Sequence, residues 1–127
     1  MRVALDTNRL TDLFAGDTEL ANRVEACDEV WIPLIVLGEI KAGFYGGGQR
    51  QRNEAVLQRL LAKKTIQVLL PSRETAEHYA QLYAQLKRTG TPVPDNDMWI
   101  AALALEHDLV LITRDRHFAK IPQLLRG

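Results

Sequence analysis

Short apolar runs separated by amphipathic stretches organise this chain from end to end. Residues 2–5 read as a brief buried strand closed by Asp6. Further strands are expected at residues 29–32, 66–70 and 109–112. Between them, apolar positions recur at helical spacing. Helices are predicted over residues 8–14, after Asp17 (with Leu20, Ala21 and Val24 on one face), and from Pro33 to about Phe44. Residues 50–63 form another, with Ala55, Val56, Leu60 and Leu61 as its core stripe. Ser72 and Thr75 open a long helix to about Arg88, carried by Ala76, Tyr79, Ala80, Leu82, Tyr83 and Leu86 and stopped by Gly90. A last helix covers residues 97–107, where one of Asp95, Asn96 and Asp97 must be the cap. A short turn at 116–119 and an edge strand at Leu124-Leu125 complete the prediction.

Strands alternating with helices imply an α/β fold with a parallel sheet covered on both faces. The continuous apolar run Leu109-Val110-Leu111-Ile112 agrees with burial on both sides. A length of 127 residues makes this one domain, 1–127. Its longest apolar run, from Val30 to Leu37, is far short of the ~20 residues of a membrane span. The start carries no signal-peptide pattern, and Cys27 is the only cysteine, so the expected compartment is the cytoplasm.

Charge changes the picture locally. The formal net charge is zero, but residues 1–39 are acidic and residues 41–64 basic. A domain that held nucleic acid through its overall field would be basic. Here only a strip around Lys41, Arg50 and Arg52 is available, and a charge run of this kind also reads as the solvated face of a helix.

Four carboxylates lie just past strand ends or on the following helix: Asp6, Glu39, Asp97 and Asp115. In open parallel sheets, ligands bind outside the carboxyl ends of the strands. Acids converging there repel one another and lose hydration unless a cation neutralises them. Each also has a plainer reading. Asp6, within Asp6-Thr7-Asn8, suits a helix N-cap; Glu39 suits the exposed edge of a helix. Asp97 suits a helix start and Asp115 a turn; as a ligand Asp97 is the better candidate because it abuts the helix, with Asp95 as a supporting or alternative ligand. Thr7 and Asn8 are expected to hold the Asp6 carboxylate, and Thr113 to orient Asp115 or a bound water. The three histidines have no metal-ligand spacing and read as surface residues.

The joint pattern resembles the PIN-domain nucleases, particularly the VapC-type toxins of toxin–antitoxin pairs. The resemblance rests on Val3-Ala4-Leu5-Asp6-Thr7-Asn8, Glu39-Ile40-Lys41-Ala42-Gly43, Asn96-Asp97-Met98-Trp99-Ile100-Ala101-Ala102 and Thr113-Arg114-Asp115-Arg116-His117-Phe118. It covers essentially the whole chain; the basic loop from Gly46 to Arg52 is not part of the pattern.

That resemblance implies a Rossmann-like three-layer α/β/α sandwich and Mg²⁺- or Mn²⁺-dependent hydrolysis of RNA phosphodiesters, in transfer or ribosomal RNA. Asp6, Glu39, Asp97 and Asp115 become the metal-binding and catalytic acids, Thr113 the supporting hydroxyl, and Thr7, Asn8 and Asp95 their surroundings. Lys41, Arg50, Arg52 and Arg114 are the candidate RNA contacts. A homodimer and a cognate antitoxin that inserts an Arg among the acids are also implied. Two other function classes remain open at this level. One is a PIN-like module that binds metal or RNA without cutting; the other is a phosphatase using Asp6 as nucleophile.

Overall fold

The computed structural model describes every residue, Met1–Gly127. Its core is a four-stranded parallel sheet in the order β3-β2-β1-β4. The strands are β1 (Arg2–Leu5), β2 (Glu29–Pro33), β3 (Ile66–Leu69) and β4 (Val110–Ile112). Val3 pairs with Val30 on one side and with Val110 on the other. Successive strand residues point to opposite faces. Val3, Ala4 and Leu5 are all fully buried, so the sheet is covered above and below. The result is the three-layer α/β/α sandwich that the alternating pattern and the resemblance imply.

Each crossover carries two helices. The first holds α1 (Thr7–Phe14) and α2 (Thr18–Glu25), the second α3 (Leu34–Gly46) and α4 (Arg50–Leu61), the third α5 (Arg73–Thr89) and α6 (Asp95–Glu106). A 3-10 turn, Arg116–Lys120, follows β4. No helix is long and apolar enough to cross a membrane.

Several boundaries differ from the sequence expectation. Pro33 closes β2, pairing with Leu69, and caps α3 instead of entering its first turn. The α4 stripe is shifted: Leu57 is buried, whereas Ala55 is exposed and Leu60 and Leu61 only partly covered. On α5 the inward residues are Thr75, Leu82 and Leu86, while Ala76, Ala80 and Tyr83 face solvent. Small or amphipathic residues on a helix do not announce their face. No C-terminal strand forms at Leu124-Leu125. Leu124 is buried, and the tail instead makes one parallel bridge between Arg126 and Leu111.

The chain leaves β1 towards β2, while β4 returns on the opposite side of β1. This reversal opens a crevice at the carboxyl ends of β1 and β4. Asp6 and Thr113 each directly follow one of those strands.

Candidate active site

Asp6 is both a helix cap and a member of the crevice. Its Oδ1 accepts the Arg9 backbone N–H at 2.9 Å, which starts α1, and its Oδ2 accepts the Thr113 hydroxyl. Only 3% of the residue is exposed. Burial pushes its carboxyl above the ordinary carboxylate range, and the nearby Asp115 charge adds to the rise. The Thr113 and Arg9 donors oppose that shift without cancelling it.

Thr113 is the hinge of the site. Its hydroxyl donates to Asp6 and accepts the Asp115 backbone N–H at 2.9 Å. One side chain therefore fixes the acids that end β1 and follow β4. Asp115 in turn caps the 3-10 turn, its Oδ1 accepting the His117 backbone N–H at 2.9 Å.

Asp97 arrives from the first turn of α6, which begins two residues earlier than expected. Pro94 occupies the cap position, so none of Asp95, Asn96 and Asp97 is the cap. A helix N-terminus ordinarily favours the ionised form of an acid. Here burial wins: the Asp97 carboxyl is raised by burial first and then by the charge of Asp115, with Glu39 adding a smaller push. The His117 contact works against them. Glu39 reaches the same region from the exposed side of α3, where its Oε1 accepts the Thr7 hydroxyl at 2.6 Å.

The four acids are thus held on four separate elements; the charge of Asp115 raises both Asp6 and Asp97, and that of Glu39 raises Asp97. Asp97 and Asp115 form the tight part, and His117 joins them with all three donor atoms within 4.8 Å of one another. Asp6 and Glu39 stand outside that tight group. Oxygen donors of this kind fit a hard divalent cation such as Mg²⁺ or Mn²⁺. Burial is the first cause of the upward shifts at Asp6 and Asp97, with the charge of Asp115 adding to both, and a bound cation would offset each.

Other expected site residues lie elsewhere. Thr7 holds Glu39, not Asp6. Asn8 is exposed and takes no part in the network. Asp95 accepts the hydroxyl of Tyr79, whose ring stacks on Trp99 at 4.1 Å between centroids. Among the basic candidates, Lys41 pairs with Glu54 at 2.9 Å and Arg114 with Asp12 at 2.9 Å. Arg50 lies over the Tyr45 ring at 4.2 Å, and Arg52 makes no ion pair.

His117 is the residue that sequence reasoning missed. Although exposed, it is not an idle surface residue, because the turn after Asp115 folds its ring back onto the acids. The available signal was its position two residues after a capping Asp, where a tight turn returns the side chain to the cap.

Comparison with known proteins bears on what this arrangement does. The family profile described as PIN domain matches residues 3–124. Ribonuclease VapC1 of Haemophilus influenzae is 30% identical over 125 residues, spanning 94% of this chain and 92% of that protein. The tRNA(fMet)-specific endonuclease VapC of Salmonella typhimurium is 35% identical over 92 residues, or 72% of this chain and 68% of its own length. A solved toxin-antitoxin complex from Klebsiella pneumoniae superposes with a TM-score of 0.73 at 32% identity, covering 97% of this chain and 95% of that one.

Proposed function

Because the chain belongs to the PIN-domain family, in its VapC branch, we propose that it is a divalent-metal-dependent endoribonuclease acting as the toxin of a toxin–antitoxin pair. The observation that carries this reading is the close approach of Asp97 and Asp115 at the carboxyl end of the sheet, with Asp6 joined to Asp115 through Thr113 and Glu39 held by Thr7.

When bound, Mg²⁺ or Mn²⁺ lowers the pKa of a coordinated water and offsets charge on the attacked phosphate and leaving oxygen. The protein's contribution is to orient the acids. Thr113 locks Asp6 against the turn that presents Asp115, and Thr7 fixes Glu39. The expected products carry a 5′-phosphate and a 3′-hydroxyl. An aspartyl-nucleophile phosphatase fits less well, since both Asp6 oxygens are already engaged and the residue is buried.

Arg52 and Arg50 are the cations best placed to meet RNA phosphates first. Lys41 and Arg114 would first have to part from Glu54 and Asp12. The name of the Salmonella relative favours transfer RNA over ribosomal RNA. A homodimer in the cytoplasm is the expected working form, with the antitoxin entering the acidic crevice through an Arg fork suited to paired carboxylates.

The direct test is to incubate the purified, antitoxin-free chain with total RNA and Mg²⁺ or Mn²⁺, beside Asp6→Asn and Asp97→Asn, and to map cut ends. Metal-dependent cuts at a few sites, lost in both variants, are expected. Equal cutting by all three proteins would assign the activity to a contaminant. Purification from the native host without any small companion protein would count against the antitoxin.

A further inference from the structure

His117 Nδ1 lies 3.2 Å from Asp97 Oδ2 and 3.1 Å from Asp115 Oδ1. The same Asp115 oxygen accepts the His117 backbone N–H, so the turn Arg116–Lys120 fixes the backbone from which the ring reaches both acids. Phe118, the next residue, is fully buried and anchors that turn in the core. The ring's Nε2 has no protein partner.

We propose that His117 is a nitrogen ligand of the divalent cation, completing a mixed set with Asp97 and Asp115 and tilting the site towards Mn²⁺ over Mg²⁺. This rests on reading Asp97 and Asp115 as metal ligands. The spacing supports it. Adjacent donors around an octahedral ion with bonds of about 2.1 Å sit about 3 Å apart. The two Nδ1–oxygen distances, 3.2 and 3.1 Å, are close to that separation, and all three donor atoms lie within 4.8 Å of one another. The chemistry of the donor sets the preference. Mg²⁺ is held almost wholly by oxygen, whereas imidazole nitrogen suits first-row transition metals. A site of oxygen donors alone would lack that bias.

The rival account is a hydrogen bond from Nδ1 to the carboxylates, in which the ring steadies the acids but never meets the ion. Calorimetric titration of the full chain with Mn²⁺ and with Mg²⁺ separates the two, using wild type, His117→Gln, His117→Ala and Asp97→Asn. Ligation predicts that His117→Gln weakens Mn²⁺ binding about tenfold or more while Mg²⁺ binding changes little. Pulsed electron paramagnetic resonance on the Mn²⁺-loaded wild type should show a directly bound nitrogen, lost in His117→Gln. Equal weakening for both metals, or no bound nitrogen in wild type, would overturn the proposal in favour of the hydrogen bond. Thermal melts of both His117 variants guard against misfolding, since the exposed ring leaves Phe118 and the core untouched. If Asp97→Asn binds Mn²⁺ as tightly as wild type, the metal reading of the acids fails first, an outcome distinct from the failure of His117 alone.

Discussion

The Thr7 hydroxyl donates to Glu39 Oε1 at 2.6 Å, joining the first turn of α1 to the middle of α3 across 32 residues. Glu39 is exposed, and this is its only side-chain hydrogen bond to the protein. Replacing Thr7 with Val keeps the shape and removes the donor. Stability should change by less than about 1 kcal/mol, because a partner open to water loses little. Metal affinity and RNA cleavage should fall about 10- to 100-fold, as is typical when the group supporting a ligand is lost. Calorimetry and single-turnover cleavage check this; unchanged affinity would mean that Glu39 needs no support.

Asp6 combines a useful hydrogen bond with an unfavourable burial. Its carboxyl is raised by burial above all, so at neutral pH the ionised side chain works against the metal-free fold. Asn keeps the helix cap and removes the charge. In EDTA, Asp6→Asn should therefore melt above wild type while losing cleavage. Asp6→Ala removes the cap as well and should lie about 1 kcal/mol below Asp6→Asn. A wild-type protein more stable than Asp6→Asn in EDTA would contradict this balance.

How much of this was legible beforehand depends on how local each signal was. An apolar run ending in Asp marks both the end of β1 and the start of α1, so Asp6 could be placed from neighbouring residues alone. Leu57 could not, because the phase of α4 is set by what it packs against, and its sequence offers Val56, Leu60 and Leu61 as equally apolar choices. The partners of Thr7 and His117 depend on chain segments meeting in space. Thr7 meets Glu39 through the packing of α1 on α3, and His117 meets Asp97 through the packing of the 3-10 turn against α6. The pairings of Lys41 with Glu54 and Arg114 with Asp12 are likewise tertiary. Nothing in a run of basic residues tells a bound cation from a free one.

Asp12 accepts Arg114 at 2.9 and 3.2 Å and Arg9 at 3.2 Å, tying β4's end to α1. The Arg114 bond, followed by the Arg9 bond, holds its carboxyl below the ordinary range. A depressed folded pKa means that the stabilisation is complete above about pH 4, the unfolded value, and is lost as pH falls through the lower folded value. Asp12→Asn should therefore melt below wild type by a constant margin from pH 7 to about pH 5, the gap closing as the pH falls below about 4. A margin that persists undiminished at the acid end would show that shape, not charge, is what Asp12 supplies.

Arg52 is exposed and makes no ion pair, whereas Lys41 and Arg114 each hold an acid. In an uncleaving Asp115→Asn background, Arg52→Ala should weaken RNA binding and flatten the dependence of log K on log salt by about 0.7, the share of one single-strand phosphate. Lys41→Ala should change the slope less and instead lower the melting temperature. Filter binding across salt concentrations tests both, and a slope indifferent to Arg52 would move the RNA path away from α4.

The most direct measurement is the single-turnover cleavage rate of an RNA found cut by the wild type, after the chain has been stripped of metal with EDTA and titrated back with Mn²⁺. The acidic crevice predicts no cleavage without metal, a saturable rise on titration, 5′-phosphate and 3′-hydroxyl ends, and no cleavage by Asp115→Asn at any metal concentration. Cleavage that survives EDTA, or that Asp115→Asn retains, would contradict it.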